Sequence, residues 1–326
     1  MKVLVLGGAG YIGSHMCKSL ATQGHDVVVF DNLSTGHQAA VQWGPLVVGD
    51  ILNKTDLDEL FDTHGPFDLI IHFCAKSLVG ESVNKPDIYY RNNVVGTINL
   101  LDKMVETGHD KLIFSSTAAV FGIPSVDLID EQQQRKPINP YGQSKKMVED
   151  VLQDYFTAYG LKSVCLRYFN ACGADPESEI GERHEPETHL IPNILKSVLR
   201  AEQGRLKVFG DDYPTADGTC VRDYVHINDL ARAHFLAGHY LTDNAGAYAF
   251  NLGNGSGFSV LDVINAAQNV VGKDIPYDIE PRRAGDPAVL VSDSSKANAV
   301  LGWQAEYSDI QEIIATAWQW HQNEKF

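Results

Sequence analysis

The chain has 326 residues, 44% hydrophobic and 21% charged, with a formal net charge of −16 at pH 7. This composition supports a large packed core and excludes intrinsic disorder, and the acidic balance argues against nonspecific nucleic-acid binding, which needs a basic surface. No apolar run approaches membrane-span length, Met1 leads straight into an apolar segment with no room expected for a signal peptide, and five scattered cysteines without CxxC spacing predict reduced thiols in a cytoplasmic protein.

The opening stretch Lys2 to Gly13 reads as a buried strand, a glycine-rich turn and a helix start. Gly7 permits the tight turn, Gly10 lets the backbone approach an anion, and Gly13 lets the helix lie close on the strand. That is the arrangement that holds a dinucleotide pyrophosphate against a helix N-terminus. The next β-rich run, Asp26 to Phe30, ends in Asp31, eighteen residues past Gly13. A carboxylate there accepts hydrogen bonds from the adenosine ribose of NAD and repels the 2′-phosphate of NADP, so NAD is the expected cofactor. The competing role for Asp31 is to open the loop 31–36.

Further strands are expected at Leu46–Val48, Asp68–Phe73, Lys111–Ser115 and Lys162–Arg167, with helices between them, including a long one from Pro86 to Glu106. The alternation predicts an α/β fold: a doubly wound parallel sheet of Rossmann type, with ligands at the carboxyl ends of its strands. This first domain is expected to span 1–170. The regularity stops after Asn170, which predicts a smaller mixed α/β substrate domain over 171–326, the chain returning to the first domain around 225–255. Asp175–His189 and Gly210–Val221 are polar and aperiodic, as functional loops often are. Between and after them come expected helices at Leu190–Arg200, with Pro192 in the first turn, and at His226–Tyr240, then a strand at Ala247–Leu252. The twelve histidines show no HExxH or comparable cluster, so no metal site is expected.

The segment Asn139 to Lys145 carries the most chemistry. Asn139 can cap a helix and Pro140 suits its first position, which puts Tyr141 and Lys145 one turn apart on one face. A nearby ammonium and the positive nicotinamide ring would favour phenolate, making Tyr141 a base for a sugar or alcohol hydroxyl as hydride leaves its carbon. Ser115, Ser116 and Thr117 are expected where a buried strand opens into the ligand crevice, beside Tyr141.

The glycine turn, the hydroxyl run ending at Thr117 and the Tyr141/Lys145 pair resemble the extended short-chain dehydrogenase/reductases. Val79–Pro86, Tyr89–Gly96, Arg167–Asn170, Gly218–His226 and Pro281–Asp286 narrow the resemblance to the UDP-glucose 4-epimerase family, over nearly the whole chain. The resemblance implies NAD contacts from Gly7, Gly10, Tyr11, Ile12 and Gly13, from Asp31, Asn32, Leu33, Ser34, Thr35 and Gly36, and from Asp50 with Ile51. Phe73, Cys74, Ala75, Lys76, Ser77, Asn92, Tyr141, Lys145 and Phe169 join them. Thr117, Tyr141 and Asn170 would hold the hexose of UDP-glucose or UDP-galactose. His189, Leu190, Lys207, Val208, Phe209, Arg222, Arg283 and Asp286 would hold the UDP, while Arg282 fits a surface ion pair equally well. It also implies catalysis by Tyr141, Lys145 and Thr117, and a cytoplasmic homodimer formed by the helices around Pro86–Glu106 and Tyr141–Tyr159.

Three positions vary from the family pattern. Thr117 replaces a frequent serine and keeps the hydroxyl, His189 stands where asparagine is also found and has a packing histidine as its competing role, and Leu290 falls where the sugar pocket is shaped. Leu290 leaves N-acetylated UDP-hexosamines open as further substrates. A nucleotide-sugar 4,6-dehydratase needs Asp-Glu after the active-site threonine, where Ala118 and Ala119 stand here. A UDP-glucuronate 4-epimerase is the alternative, and it requires a partner for the carboxylate in the hexose pocket. A catalytically silent dinucleotide sensor commonly lacks the tyrosine or the lysine, and both are present.

Overall fold

Strands of Val, Leu and Ile that are buried on both faces need helices on each side. The computed structural model describes residues 1–199, 205–283 and 286–326. In it seven parallel strands form one sheet, in the order Ala247–Leu252, Lys162–Tyr168, Lys111–Thr117, Leu69–His72, Lys2–Leu6, Asp26–Asp31 and Leu46–Val48. Alternation along the first strand divides the core. Val3 and Val5 pack with Met16, Leu230 and Leu241 on one face, and Leu4 and Leu6 pack with Leu100, Met104 and Leu152 on the other.

The strand order reverses at Lys2–Leu6, flanked by Leu69–His72 on one side and Asp26–Asp31 on the other. Connections leave such a switch point in opposite directions, so the strand ends open a crevice. Gly7 sits there with φ +80°, and a Cβ on it would lie 2.8 Å from the Cys74 backbone nitrogen. A Cβ on Gly13 would stand 2.1 Å from the Gly7 carbonyl oxygen, so only glycine lets the helix Tyr11–Thr22 begin against the turn.

Beyond residue 170 the layers are smaller. Val221–Arg222 pairs antiparallel with Phe258–Ser259 and parallel with Val289–Ser292, which in turn pairs with Leu128–Ile129. Leu206–Phe209 pairs with Tyr277–Glu280. Their helices close a third core around Ile194, Leu195, Val208, Ile264, Ile313 and Ile314. The two halves therefore exchange strands: 128–129 joins the later sheet, and 247–252 completes the earlier one. Asp223, fully buried, ties the segments together. Its carboxylate accepts the backbone N–H groups of Asn254 at 2.6 Å and of Gly255 and Ser292 at 3.0 Å.

Two elements differ from expectation. The helical run from Pro86 to Glu106 is interrupted by a π-helical segment, Tyr90–Val95, between Pro86–Tyr89 and Gly96–Glu106. The wider turn accompanies bonds made by the Asn93 side chain, which clamps the Lys76 backbone through both its N–H and C=O and donates to Ser144 Oγ. The strand expected at 111–115 runs on to Thr117, because Ser115, Ser116 and Thr117 pair with Leu166, Arg167 and Tyr168. The helix expected over 190–200 is Leu190–Leu199, Arg200 lying outside the described residues.

Asp223→Ala strips the acceptor from three backbone amides, of which that of Ser292 is buried and costs about 1–3 kcal/mol when left unpaired. Denaturant unfolding should report a loss of roughly 1–3 kcal/mol. A loss below about 1 kcal/mol would show that water replaces the carboxylate and that the tie is dispensable.

Candidate active site

A cleft of about 1540 Å³ runs along the carboxyl ends of the strands, and a cavity of about 680 Å³ adjoins it. The two share Asn170, Glu182, His189, Arg222, Arg283 and Asp286 in their walls. One end of the cleft is the glycine turn: Gly7, Gly10, Tyr11, Ile12 and Gly13 face Asp31, Asn32, Ser34, Thr35 and Gly36. Asp31 is buried, which raises its pKa, while backbone N–H bonds from Leu33 at 2.8 Å and Ala9 at 3.0 Å pull the other way. The carboxylate thus shapes its own loop, and each oxygen keeps a lone pair for a further donor. Leu33 and Asp50 are absent from the described cleft wall. Leu33 turns its backbone at φ +57°, and Asp50 stands behind Asn32, accepting its amide at 3.0 Å.

The residues present fit a dinucleotide. The turn has no Cβ to block an anion at Gly7, Gly10 or Gly13, the helix N-terminus follows at once, and an acidic group lies at the ribose position. Ile51, Phe73 to Ser77, Asn92 and Phe169 continue the same wall. Asn92 also donates to Asn93 Oδ1 at 2.9 Å.

Midway along the cleft stand Thr117, Tyr141 and Lys145. The helix Pro140–Tyr159 begins as its sequence demands, with Pro140 in the first turn and the Asn139 side chain accepting from the Gly142 N–H at 2.8 Å. Its inner face carries Lys145 and, one turn on, Glu149. Lys145 is buried over the Phe114 ring and donates from Nζ to the Ser115 carbonyl at 2.7 Å. Burial lowers its pKa to about 8.

Tyr141 faces the same stretch of the cleft. Burial raises the pKa of its phenol, only partly offset by a hydrogen bond with the Thr117 hydroxyl, and the hydrogen bond of Lys145 goes to the Ser115 carbonyl instead. The protein alone therefore holds this tyrosine protonated. Lowering its pKa is left to a cation brought into the cleft.

The far end of the cleft carries paired charges. Arg222 pairs with Asp286, and Arg283 lies over the Phe209 ring at 4.1 Å. Lys207, Val208, Phe209 and Leu190 wall the adjoining cavity, although the Val208 side chain belongs to the core. His189 is pushed up to about 10: burial works to lower it, but Glu182 at 2.8 Å and Glu187 at 3.0 Å overcome that. Arg282 pairs with Asp212 at 2.5 Å on the surface, over Tyr213. Ala284 and Gly285, between the motif arginines and Asp286, lie outside the described residues. Leu290 reaches the cleft near Thr117's end, packed with Val120, Phe121 and Phe169.

Sequence reasoning missed the buried frame behind these groups. Glu149 accepts from Ser116 Oγ at 2.6 Å, from Arg167 Nε and a terminal nitrogen at 2.9 and 2.7 Å, and from Arg135 at 2.8 Å. The i, i+4 spacing from Lys145 was the available signal. Ser115 bonds Tyr168 at the base of the site. Glu182, His184 and Glu187, also missed, line the cleft beside His189.

Residues 3–253 match the model of the NAD dependent epimerase/dehydratase family. The chain is 50% identical over 321 residues to a UDP-glucose 4-epimerase of Halalkalibacterium halodurans, covering 98% of this chain and 96% of that protein. It is also 50% identical to one of Lacticaseibacillus casei, covering 99% and 97%. The crystal structure of UDP-glucose 4-epimerase from Brucella ovis in complex with NAD superposes with a TM-score of 0.94 at 50% identity, covering 98% of this chain and 97% of that one. With the glycine cradle, the buried Tyr141/Lys145 helix and likeness along its whole length, the chain belongs to the NAD-dependent epimerase/dehydratase family and, within it, to the UDP-glucose 4-epimerases.

Proposed function

We propose that the chain interconverts UDP-glucose and UDP-galactose by transient oxidation and re-reduction at hexose C4, with NAD held throughout. One observation carries the mechanism: Tyr141, Thr117 and Lys145 stand in a single cleft between the glycine cradle and an arginine-bearing wall. When bound, NAD⁺ supplies the hydride acceptor, returns the hydride, and sets a positive charge beside the phenol. Tyr141 takes the O4 proton as C4 is oxidised and gives it back on reduction. Thr117 shares that oxygen through its hydroxyl, and Lys145 adds positive charge from one turn further along the helix. The 4-keto sugar must turn to present its other face. That requires firm hold on UDP and loose hold on the hexose.

The side chains support that division. We assign Arg222, Arg283 and His189 to the diphosphate, with Asp286 orienting Arg222, and the 207–209 strand to the uracil. Asn170 and Thr117 offer only neutral groups to the sugar. We assign the cofactor to the unit 1–170, rejoined by 227–252, and UDP to the unit 171–326. Exposed Val95, Met147 and Tyr159 on the helices 86–106 and 140–159 support a homodimer through those helices. Five free cysteines support a cytoplasmic setting. The uronate alternative gains nothing from the comparisons.

Tyr141→Phe should fold and keep its NAD absorbance while turnover of UDP-galactose falls about 10²–10⁴-fold. Activity within about tenfold of the parent would remove Tyr141 as the base. Lys145 gives a stability signature. Burial takes its pKa from 10.5 to about 8. Below pH 8 both folded and unfolded chains carry the proton, and the cost of burying it is fully present. Between about 8 and 10.5 the folded chain has lost a proton that the unfolded chain retains, so this contribution to stability rises with pH. In cofactor-free protein, the Tm difference between Lys145→Met and parent should therefore move against the variant from pH 8 to 10. A difference that does not change with pH would contradict a buried, easily deprotonated lysine.

A further inference from the structure

The loop joining the two ends of the cleft carries Glu182, His184, Glu187 and His189 within eight residues. One ligand atom from each lies within 4.8 Å of all the others. His189 Nδ1 is 2.8 Å from Glu182 Oε1 and 3.0 Å from Glu187 Oε1. His184 Nδ1 is 3.2 Å from Glu182 Oε1 and 3.9 Å from Glu187 Oε2. Four donors placed tetrahedrally at zinc bond lengths stand about 3.3 Å from one another. The observed separations bracket that edge.

Burial argues the same way. The Glu182 and Glu187 side chains are only 5% and 6% exposed, and two carboxylates so placed require positive charge between them. Lys196 reaches only the far oxygen of Glu187, at 3.3 Å. An ion pair of His189 with both carboxylates accounts for three of the four groups. His184, its side chain 30% exposed, turns Nδ1 to within 3.2 Å of the same Glu182 oxygen, so that both imidazoles converge on the two carboxylates. The His184 ring is held edge-on by Tyr11 and tilted against His189.

We propose that Glu182, His184, Glu187 and His189 bind one divalent cation of zinc type through two imidazole nitrogens and two carboxylate oxygens. Imidazole and carboxylate donors suit zinc, the dication neutralises both carboxylates, and four protein ligands close the coordination shell, as in a structural site. Such a cation staples the aperiodic loop to the start of the helix Leu190–Leu199. It also fixes the His189 tautomer: with Nδ1 on the metal, Nε2 carries the proton and becomes a donor to the cleft. The sequence pattern, E-x-H-x₂-E-x-H, matches none of the familiar metal motifs, which is why only the folded loop exposes it. The site stands apart from the reacting carbon, so metal content can be read whether or not the epimerase mechanism holds.

The test uses the untagged full chain, equilibrated with excess zinc, gel-filtered and assayed by elemental analysis. One zinc per chain is expected, falling to background in Glu182→Gln/His184→Ala and retained in the surface control His64→Ala. Cobalt(II) loading should give the visible absorption of a tetrahedral ion. Anomalous difference maps at the zinc edge, on unmodified protein, decide the matter even if the double variant does not fold. A peak among the four ligand atoms supports the site. A substoichiometric zinc content, zinc retained in a folded double variant, or an anomalous peak elsewhere overturns it.

Discussion

The buried carboxylate of Glu149 is the contact on which the reaction centre rests. It lies one turn beyond Lys145 on the helix Pro140–Tyr159 and is held by Ser116 of one strand, by Arg167 of the next and by Arg135. A buried charge is costly unless every lone pair is met, so this arrangement tolerates few alternatives. The helix consequently has one angle and one register against the two strands. Tyr141, Lys145 and Thr117, which ride on those elements, take their relative positions from it. The π segment at Tyr90–Val95 adds a second constraint from the opposite side, where Asn93 bonds both Ser144 and the Lys76 backbone.

Charge is distributed with the same economy. The chain is strongly acidic, and its cleft sets Lys76, Lys145, Arg222, Arg283 and His189 among the carboxylates of Asp31, Glu81, Glu182, Glu187 and Asp286. Against an acidic background, local cations give a diphosphate ligand both attraction and orientation, and repel it elsewhere. Arginines suit the fixed end, because a guanidinium forks across two oxygens. Near Thr117 and Tyr141 the charged groups give way to hydroxyls and Leu290, as befits a sugar that must turn. Burial works to keep the Tyr141 phenol protonated.

Much of the site is legible along the chain because its signals are local. A strand, a turn needing glycine and a helix start lie within twelve residues, and the Asn139–Pro140 start places Tyr141 and Lys145 by helical period alone. The hydroxyls at 115–117 follow from a strand ending in the crevice, although pairing with Leu166, Arg167 and Tyr168 carries the strand two residues further. Propensity could not foresee the π turn, which accompanies a bond from Asn93 to a residue 51 positions away. Nor could it foresee where the Lys145 ammonium points, since its acceptor is a carbonyl on another strand.

The sequence by itself determined the doubly wound sheet, the dinucleotide turn, the acidic strand end and the Tyr/Lys helix, because each rests on periodicity or backbone sterics within a few residues. Only the tertiary structure decided how charge is settled. It paired Glu149 with two arginines, aimed the Lys145 ammonium at the Ser115 carbonyl, and gathered Glu182, His184, Glu187 and His189 into one cluster. Electrostatic energies depend on distance through space and on exclusion of water, and neither quantity exists until the chain has folded.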